Sequence, residues 1–206
     1  VLAKLAGYVV GYEPNPFYSM VCNTNLDLND LHVEIYNAAL GSQPGRSPFY
    51  LRESGGASSL WPDELYSSRT VEEIEVQVVA IDEVVQGKKI NTLVIDAEGS
   101  EYELLTNMDL RPINKLVIEM HGQQLGESGT SEILAKLGKA GFDLATIVGP
   151  SLYPNSSYIL VVGRPEVVEY VRDDAVYNEM EQLIRQQMGL GLGLGQDGSS
   201  HNTNHN

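Results

Sequence analysis

The chain is poor in cysteine and in positive charge, and it has no long apolar run. A single cysteine, Cys22, in 206 residues excludes an internal disulfide framework and any zinc site built on several thiolates. Cys22 itself reads as a small apolar residue on a helix. Lysine and arginine together number 13 against 28 acidic residues, for a formal net charge of −15. Such a chain has no basic face to neutralise phosphates, so nucleic acid is not expected as a partner and anionic membrane surfaces are disfavoured. No stretch approaches the ~18 apolar residues of a membrane span, and no charged leader precedes an apolar segment with a cleavage site. These absences point to a soluble, cytoplasmic protein without a membrane span, although a chain that starts at Val1 rather than Met can have lost a targeting segment.

What is present is 42% hydrophobic content, enough for one core. A single domain is expected over residues 1–164. An amphipathic C-terminal helix follows over 165–188, then a disordered tail over 189–206 whose His201 and His205 read as solvated. Strand-length apolar runs alternate with helical patterns, which is the signature of an α/β fold with a mostly parallel sheet. Strands are expected at residues 8–12, 32–38, 47–52, 74–81, 91–96 and 115–120, and a C-terminal antiparallel hairpin at 142–148 and 157–162. The run at 91–96 is nearly all apolar, as in a strand buried on both faces.

Helices are placed by their end signals. Asn15 and Pro16 suit the N-cap and first position of a helix that carries Phe17, Val21 and Leu28 among its apolar positions and runs to about Asn29. Asp82 is a candidate N-cap for a short helix. Ser100 and Glu103 have capping-box spacing, and Glu101 suits the positive end of the same helix. Ile133, Leu134 and Leu137 share a face of a helix over 130–140 that Gly141 stops. The polar segment at 40–70 is too long for a simple connection and reads as a cover over a site.

In an open parallel sheet ligands bind beyond the carboxyl ends of the strands. The polar groups there are Glu13, Asn37 with Ala38 and Ala39, Asp96 and Glu98, and Glu119 with His121. Glu13 is placed to accept hydrogen bonds from a ribose diol, or else is an exposed loop carboxylate. An aspartate ending a buried strand is desolvated unless something pairs with it, so Asp96 is a candidate for contact with cofactor or substrate, and Glu98 follows it. His121 reads equally as catalytic or as a hydrogen-bonded structural histidine. Asp96, Glu98, Glu119 and His121 offer ligand atoms for a divalent cation; nothing in their spacing forces them together, so no metal is expected.

The stretches Glu13-Pro14-Asn15-Pro16, Ala38-Ala39-Leu40-Gly41, Ser58-Ser59-Leu60, Val76 through Ile81-Asp82-Glu83, Ile95-Asp96-Ala97-Glu98-Gly99-Ser100-Glu101 and Ile118-Glu119-Met120-His121 follow one another in the order of a known motif series. Over residues 1–148 the chain resembles the FkbM-like S-adenosylmethionine-dependent methyltransferases. The resemblance implies a Rossmann-like methyltransferase sheet, S-adenosylmethionine as cofactor, and methylation of a hydroxyl on a sugar or other glycan, a polyketide or another small acceptor. It puts Glu13 on the ribose hydroxyls, Pro14 near the adenine, Ala38 and Ala39 along the base, and Asp96 toward the methionine portion or the acceptor. A general base is expected in Asp96 or His121, with Glu98 orienting the acceptor.

Two departures accompany the resemblance. Val94 stands where family members often carry a lysine. Members also begin with a strand and a glycine-rich turn ahead of the Glu13-Pro14-Asn15-Pro16 motif, whereas only the end of the intervening helix, at residues 1–6, is expected here; that strand would lie between those ending at Glu13 and Asp96. A catalytically inactive binding module of the same fold is the alternative, and a nicotinamide-dependent oxidoreductase using Glu13 is a distant third. Residues 40–70 and a loop at 122–129 are expected to shape the acceptor pocket.

Overall fold

The structure is a computed structural model that describes residues 2–62, 68–149, 157–167 and 178–190. A short helix α1 (Leu2–Leu5) precedes β1 (Val10–Tyr12), and the chain then turns into α2 (Pro16–Leu28). The turn is made as the sequence predicts: Asn15 is extended and its side chain accepts from the amides of Phe17 and Tyr18, while Pro16 needs no partner for a missing N–H. The predicted apolar face of α2 is not packed, however, because Phe17 and Leu28 are exposed and only Ser19 is buried.

The strand expected at 32–38 is shorter, covering only Glu34–Tyr36, and a separate strand begins just past its expected end. β2 (Glu34–Tyr36) pairs in parallel with β1, and β3 (Ala39–Gly41) leaves it to pair in parallel with β5 (Thr70–Ala80). Asn37 lies between the two strands, where its side-chain amide donates to the carbonyls of Glu13 and Pro14 and so fixes the two loops together. β4 (Gly45–Arg52) folds back antiparallel on β5, and α3 (Ile81–Lys88) follows. Asp82 is not the N-cap of α3, a position taken by Ala80; its carboxylate instead accepts from the Asp109 amide.

β6 (Thr92–Ile95), α4 (Glu101–Asn107), β7 (Lys115–His121), α5 (Gly122–Lys139), β8 (Asp143–Val148) and β9 (Ser157–Gly163) complete the main layer. Their strand order is β6-β7-β9-β8, parallel between β6 and β7 and antiparallel elsewhere. The C-terminal hairpin is therefore present. The residues between its strands, 150–156, lie outside the described residues.

Among the described residues parallel and antiparallel pairings are equally common, whereas the sequence predicts a mostly parallel sheet. The extra antiparallel pairs arise because β4 returns along β5 and β9 inserts between β7 and β8. Among the described residues β1 pairs only with β2 and β6 only with β7. β6 is accordingly not buried on both faces, and Val94 is 54% exposed.

The core lies between the β6–β9 sheet and its helices. Leu116, Ile118 and Met120 alternate along β7 on one buried face and meet Ile133, Leu134 and Leu137 of α5, all fully buried. α5 begins eight residues earlier than the predicted Thr130. The expected loop at 122–129 is helical, with a kink where Gly126 adopts φ 63°. Glycine is required there because a side chain strains that backbone region. Gly141, at φ 83°, follows the end of α5 as expected.

A last helix, α6 (Asn178–Gln187), contributes Ile184, and Met188 just beyond it, to the same core. Its predicted start at Pro165 is a turn over 165–167; residues 168–177 and the tail at 191–206 lie outside the described residues.

Candidate active site

A cleft of about 990 Å³, partly open to solvent, runs past the carboxyl ends of β1 and β6. One wall carries Tyr12, Glu13, Pro14 and Asn15. Ala39, Leu40 and Phe49 line it further, and its floor holds Ile95, Asp96, Ala97, Glu98 and Ser100. Four residues named from sequence, Glu13, Pro14, Ala39 and Asp96, thus share one cavity with Glu98. Ala38 is buried beside them without lining it.

The remaining wall is a strap over residues 55–60 that includes a 3-10 turn at Gly55–Ala57. It hangs on Arg52, a buried guanidinium at the end of β4 that donates to the carbonyls of Ala57 (2.8 Å) and Trp61 (2.6 Å) and to Ser59 Oγ (2.9 Å). Trp61 in turn donates from Nε1 to Ser100 Oγ.

Glu13 is half-buried, and its Oε1 accepts from the Asn15 amide at 2.7 Å. Its other oxygen has no hydrogen bond among the described residues. Burial pushes the carboxyl above its ordinary value, the Asn15 amide partly offsets this, and the nearby Asp96 adds to the rise.

At the opposite side β6 hands over to α4 through an unusual corner. Glu98 and Gly99 are consecutive residues with positive φ, 47° and 94°. For Glu98 that left-handed backbone costs on the order of 1–3 kcal/mol, a strain typical of functional sites.

The corner closes around Glu101, which is fully buried. Its Oε1 accepts from the amides of Ala97 (3.1 Å) and Gly99 (3.3 Å) and lies 2.8 Å from His121 Nδ1 at the end of β7. Oε2 has no partner. Glu101 is the residue that sequence reasoning missed, since a carboxylate at a helix start explains itself locally. The signal available was its capping-box neighbour. Ser100 makes no side-chain cap, and Glu103 bonds the amide and hydroxyl of Ser42 instead, so the box does not form.

His121 thereby faces four carboxylates. Beyond Glu101, its Nε2 is 3.4 Å from Glu98, 3.8 Å from Asp96 and 3.9 Å from Glu119. Burial, the largest influence, pushes the imidazole down, but the bond to Glu101 and the pull of Glu101, Glu98 and Asp96 outweigh it and raise it to about 9. Burial pushes Glu98 up to about 7, His121 opposing and the other carboxylates adding. Asp96 is less desolvated than the sequence implied, with 60% of its side chain exposed toward the cleft. Burial of the rest still raises it, against the pull of His121. Oxygen atoms of Asp96 and Glu119 and a ring nitrogen of His121 lie within 4.8 Å of one another, close enough to share a metal ion.

Residues 2–144 match the family profile described as the methyltransferase FkbM domain. The chain belongs to that family. No curated protein and no solved structure matches it. Membership makes methyl transfer the activity of this FkbM domain's family, and the acidic cleft is where the domain gathers its polar residues. None of its described helices is long and apolar enough to cross a membrane. Beside the cleft the FkbM domain has a second hollow of about 730 Å³, lined by Trp61, Gly99, Tyr102, Gln124, Leu125, Ser128, Gly129 and Glu132.

Proposed function

We propose that this FkbM domain is an S-adenosylmethionine-dependent O-methyltransferase acting on a hydroxyl of a sugar, polyketide or similar small acceptor. The observation that carries the reading is the convergence of Glu13, Pro14, Ala39 and Asp96, distant in sequence, on one cleft.

The lining suits the cofactor. Glu13 presents an unpaired carboxylate oxygen for a ribose diol. Pro14, Leu60 and Phe49 offer apolar surface for a base. The carboxylates of Asp96 and Glu98 favour a positively charged sulfonium. When bound, S-adenosylmethionine supplies an electrophilic methyl group: the acceptor oxygen bonds to that carbon as the C–S bond breaks, the electron pair stays on sulfur, and the acceptor's proton must leave.

Asp96 is placed to take that proton, because it is the site carboxylate most open to the cleft. His121 stands behind it with only 6% of its side chain exposed. Glu98, 3.4 Å from His121 Nε2 and lining the cleft, orients the acceptor. The second hollow supports an acceptor pocket shaped by the two segments expected to form it, with Trp61 from one and Gln124, Leu125, Ser128 and Gly129 from the other.

Asp96→Asn tests the assignment. Turnover is expected to fall by roughly 10²–10⁴-fold, the usual contribution of a general base, while calorimetry still finds cofactor binding. Unchanged turnover removes Asp96 from the mechanism. A folded protein that gives no heat with S-adenosylmethionine removes the cofactor assignment.

A further inference from the structure

The carboxyl ends of β6 and β7 bring together a group of atoms that methyl transfer does not itself require. Nε2 of His121 is 3.8 Å from Asp96 Oδ1 and 3.9 Å from Glu119 Oε1. Hydrogen-bonded ion pairs bring nitrogen and oxygen to about 2.7–2.9 Å, so these contacts are too long to be such pairs. Around one cation, bonds of about 2.0–2.2 Å put two ligand atoms roughly 2.8–4.4 Å apart; both nitrogen–oxygen distances fall in that span, and the three ligand atoms all lie within 4.8 Å of one another.

The histidine adds an independent observation. Its side chain is 94% buried, being only 6% exposed, and Nδ1 is taken by Glu101 at 2.8 Å. Nε2 closes no hydrogen bond among the described residues; the nearest of the three facing carboxylates, Glu98, stands 3.4 Å away. A buried carboxylate on one ring nitrogen orients the imidazole, and an arriving metal displaces the proton on the other nitrogen to use its lone pair, a recurrent supporting arrangement in metal sites.

We propose that Asp96, which lines the cleft, forms a site for one first-row divalent cation together with Glu119 and Nε2 of His121. Two carboxylates with one imidazole are a donor set that Mn²⁺ accepts, whereas an all-oxygen cage would favour Ca²⁺ or Mg²⁺. The protein supplies three ligands, so positions remain for water or an acceptor oxygen, whose proton a cation makes easier to lose. That last use rests on the methyl-transfer reading; binding of the ion does not. An imidazole bound through Nε2 cannot accept a proton, so the site also assigns His121 as a ligand rather than a base.

The test is a titration of the whole chain with MnCl₂, without cofactor, following the electron paramagnetic resonance signal of the free ion. Glu119→Gln and Asp96→Asn are titrated beside it. Neither side chain is buried, so both variants are expected to fold, and circular dichroism checks this.

One Mn²⁺ per chain, with affinity lowered at least about tenfold in each variant, is the expected result. No uptake overturns the proposal and leaves His121 as an imidazolium paired with carboxylates. Uptake that is weak, multiple and equal in wild type and variants also overturns it, since that is adventitious binding to an acidic surface. Calorimetry with S-adenosylmethionine on the same samples separates the two claims: ion uptake without cofactor binding sinks only the methyl-transfer reading, and the reverse sinks only the metal site.

Discussion

Glu13, in the loop before α2, and Glu101, the first residue of α4, are both carboxylates near helix starts, yet their surroundings give them different consequences. Glu13 acts through its ionised form, the form that accepts hydrogen bonds from a diol. Burial holds its carboxyl above the ordinary 4.5, so cofactor affinity should be full above that raised value and decline as pH falls through it. Calorimetry at descending pH should place the decline higher than an exposed glutamate would. Glu13→Gln should bind about tenfold more weakly and lose the pH dependence.

Glu101 acts on the fold. Glu101→Ala would strip partners from His121 Nδ1 and from the amides of Ala97 and Gly99 in the interior. The expected loss is about 3 kcal/mol of unfolding free energy in urea, with Glu101→Gln losing less because an acceptor oxygen remains.

At the scale of elements, packing between α5 and α6 depends on an absent side chain. A Cβ at Gly138 would run into the backbone carbonyl of Met188. Gly138→Ala should therefore cost about 1–3 kcal/mol and speed hydrogen exchange in α6.

Elements with strong local signals were legible in the sequence: the Asn15-Pro16 helix start, the strand at 115–120 that is β7, and the Ile133, Leu134, Leu137 face of α5. Misreadings fell where tertiary partners override local preference. The glycines in the first part of α5 suggested a loop, yet Gly122 and Gly129 are buried, and a Cβ at Gly129 would sit 3.4 Å from the Tyr102 ring. The Ser100–Glu103 spacing suggested a box, yet both side chains are claimed by residues far along the chain, Trp61 and Ser42. At the site, the ends of the strands were legible from period and motif. The convergence of Asp96, Glu119 and His121 was not, because it depends on the register between β6 and β7, in which Ile95 faces Ile118.

For the molecule as a whole, a net charge of −15 means self-repulsion at low ionic strength. Screening shortens its reach to about 10 Å at 0.1 M salt, so the thermal midpoint should rise between low salt and 0.1 M NaCl; a flat or falling midpoint in differential scanning calorimetry would contradict this.

The two sides of the cleft are built in opposite ways. One is a corner set by left-handed backbone and a sealed carboxylate, tied into β6, β7 and α4 at once. The other is the strap, suspended from the guanidinium of Arg52. A saturation library should find the corner nearly intolerant of exchange and the strap permissive at positions other than those Arg52 grips. Selecting this scaffold for a new acceptor is then a matter of recutting the strap and leaving the corner alone.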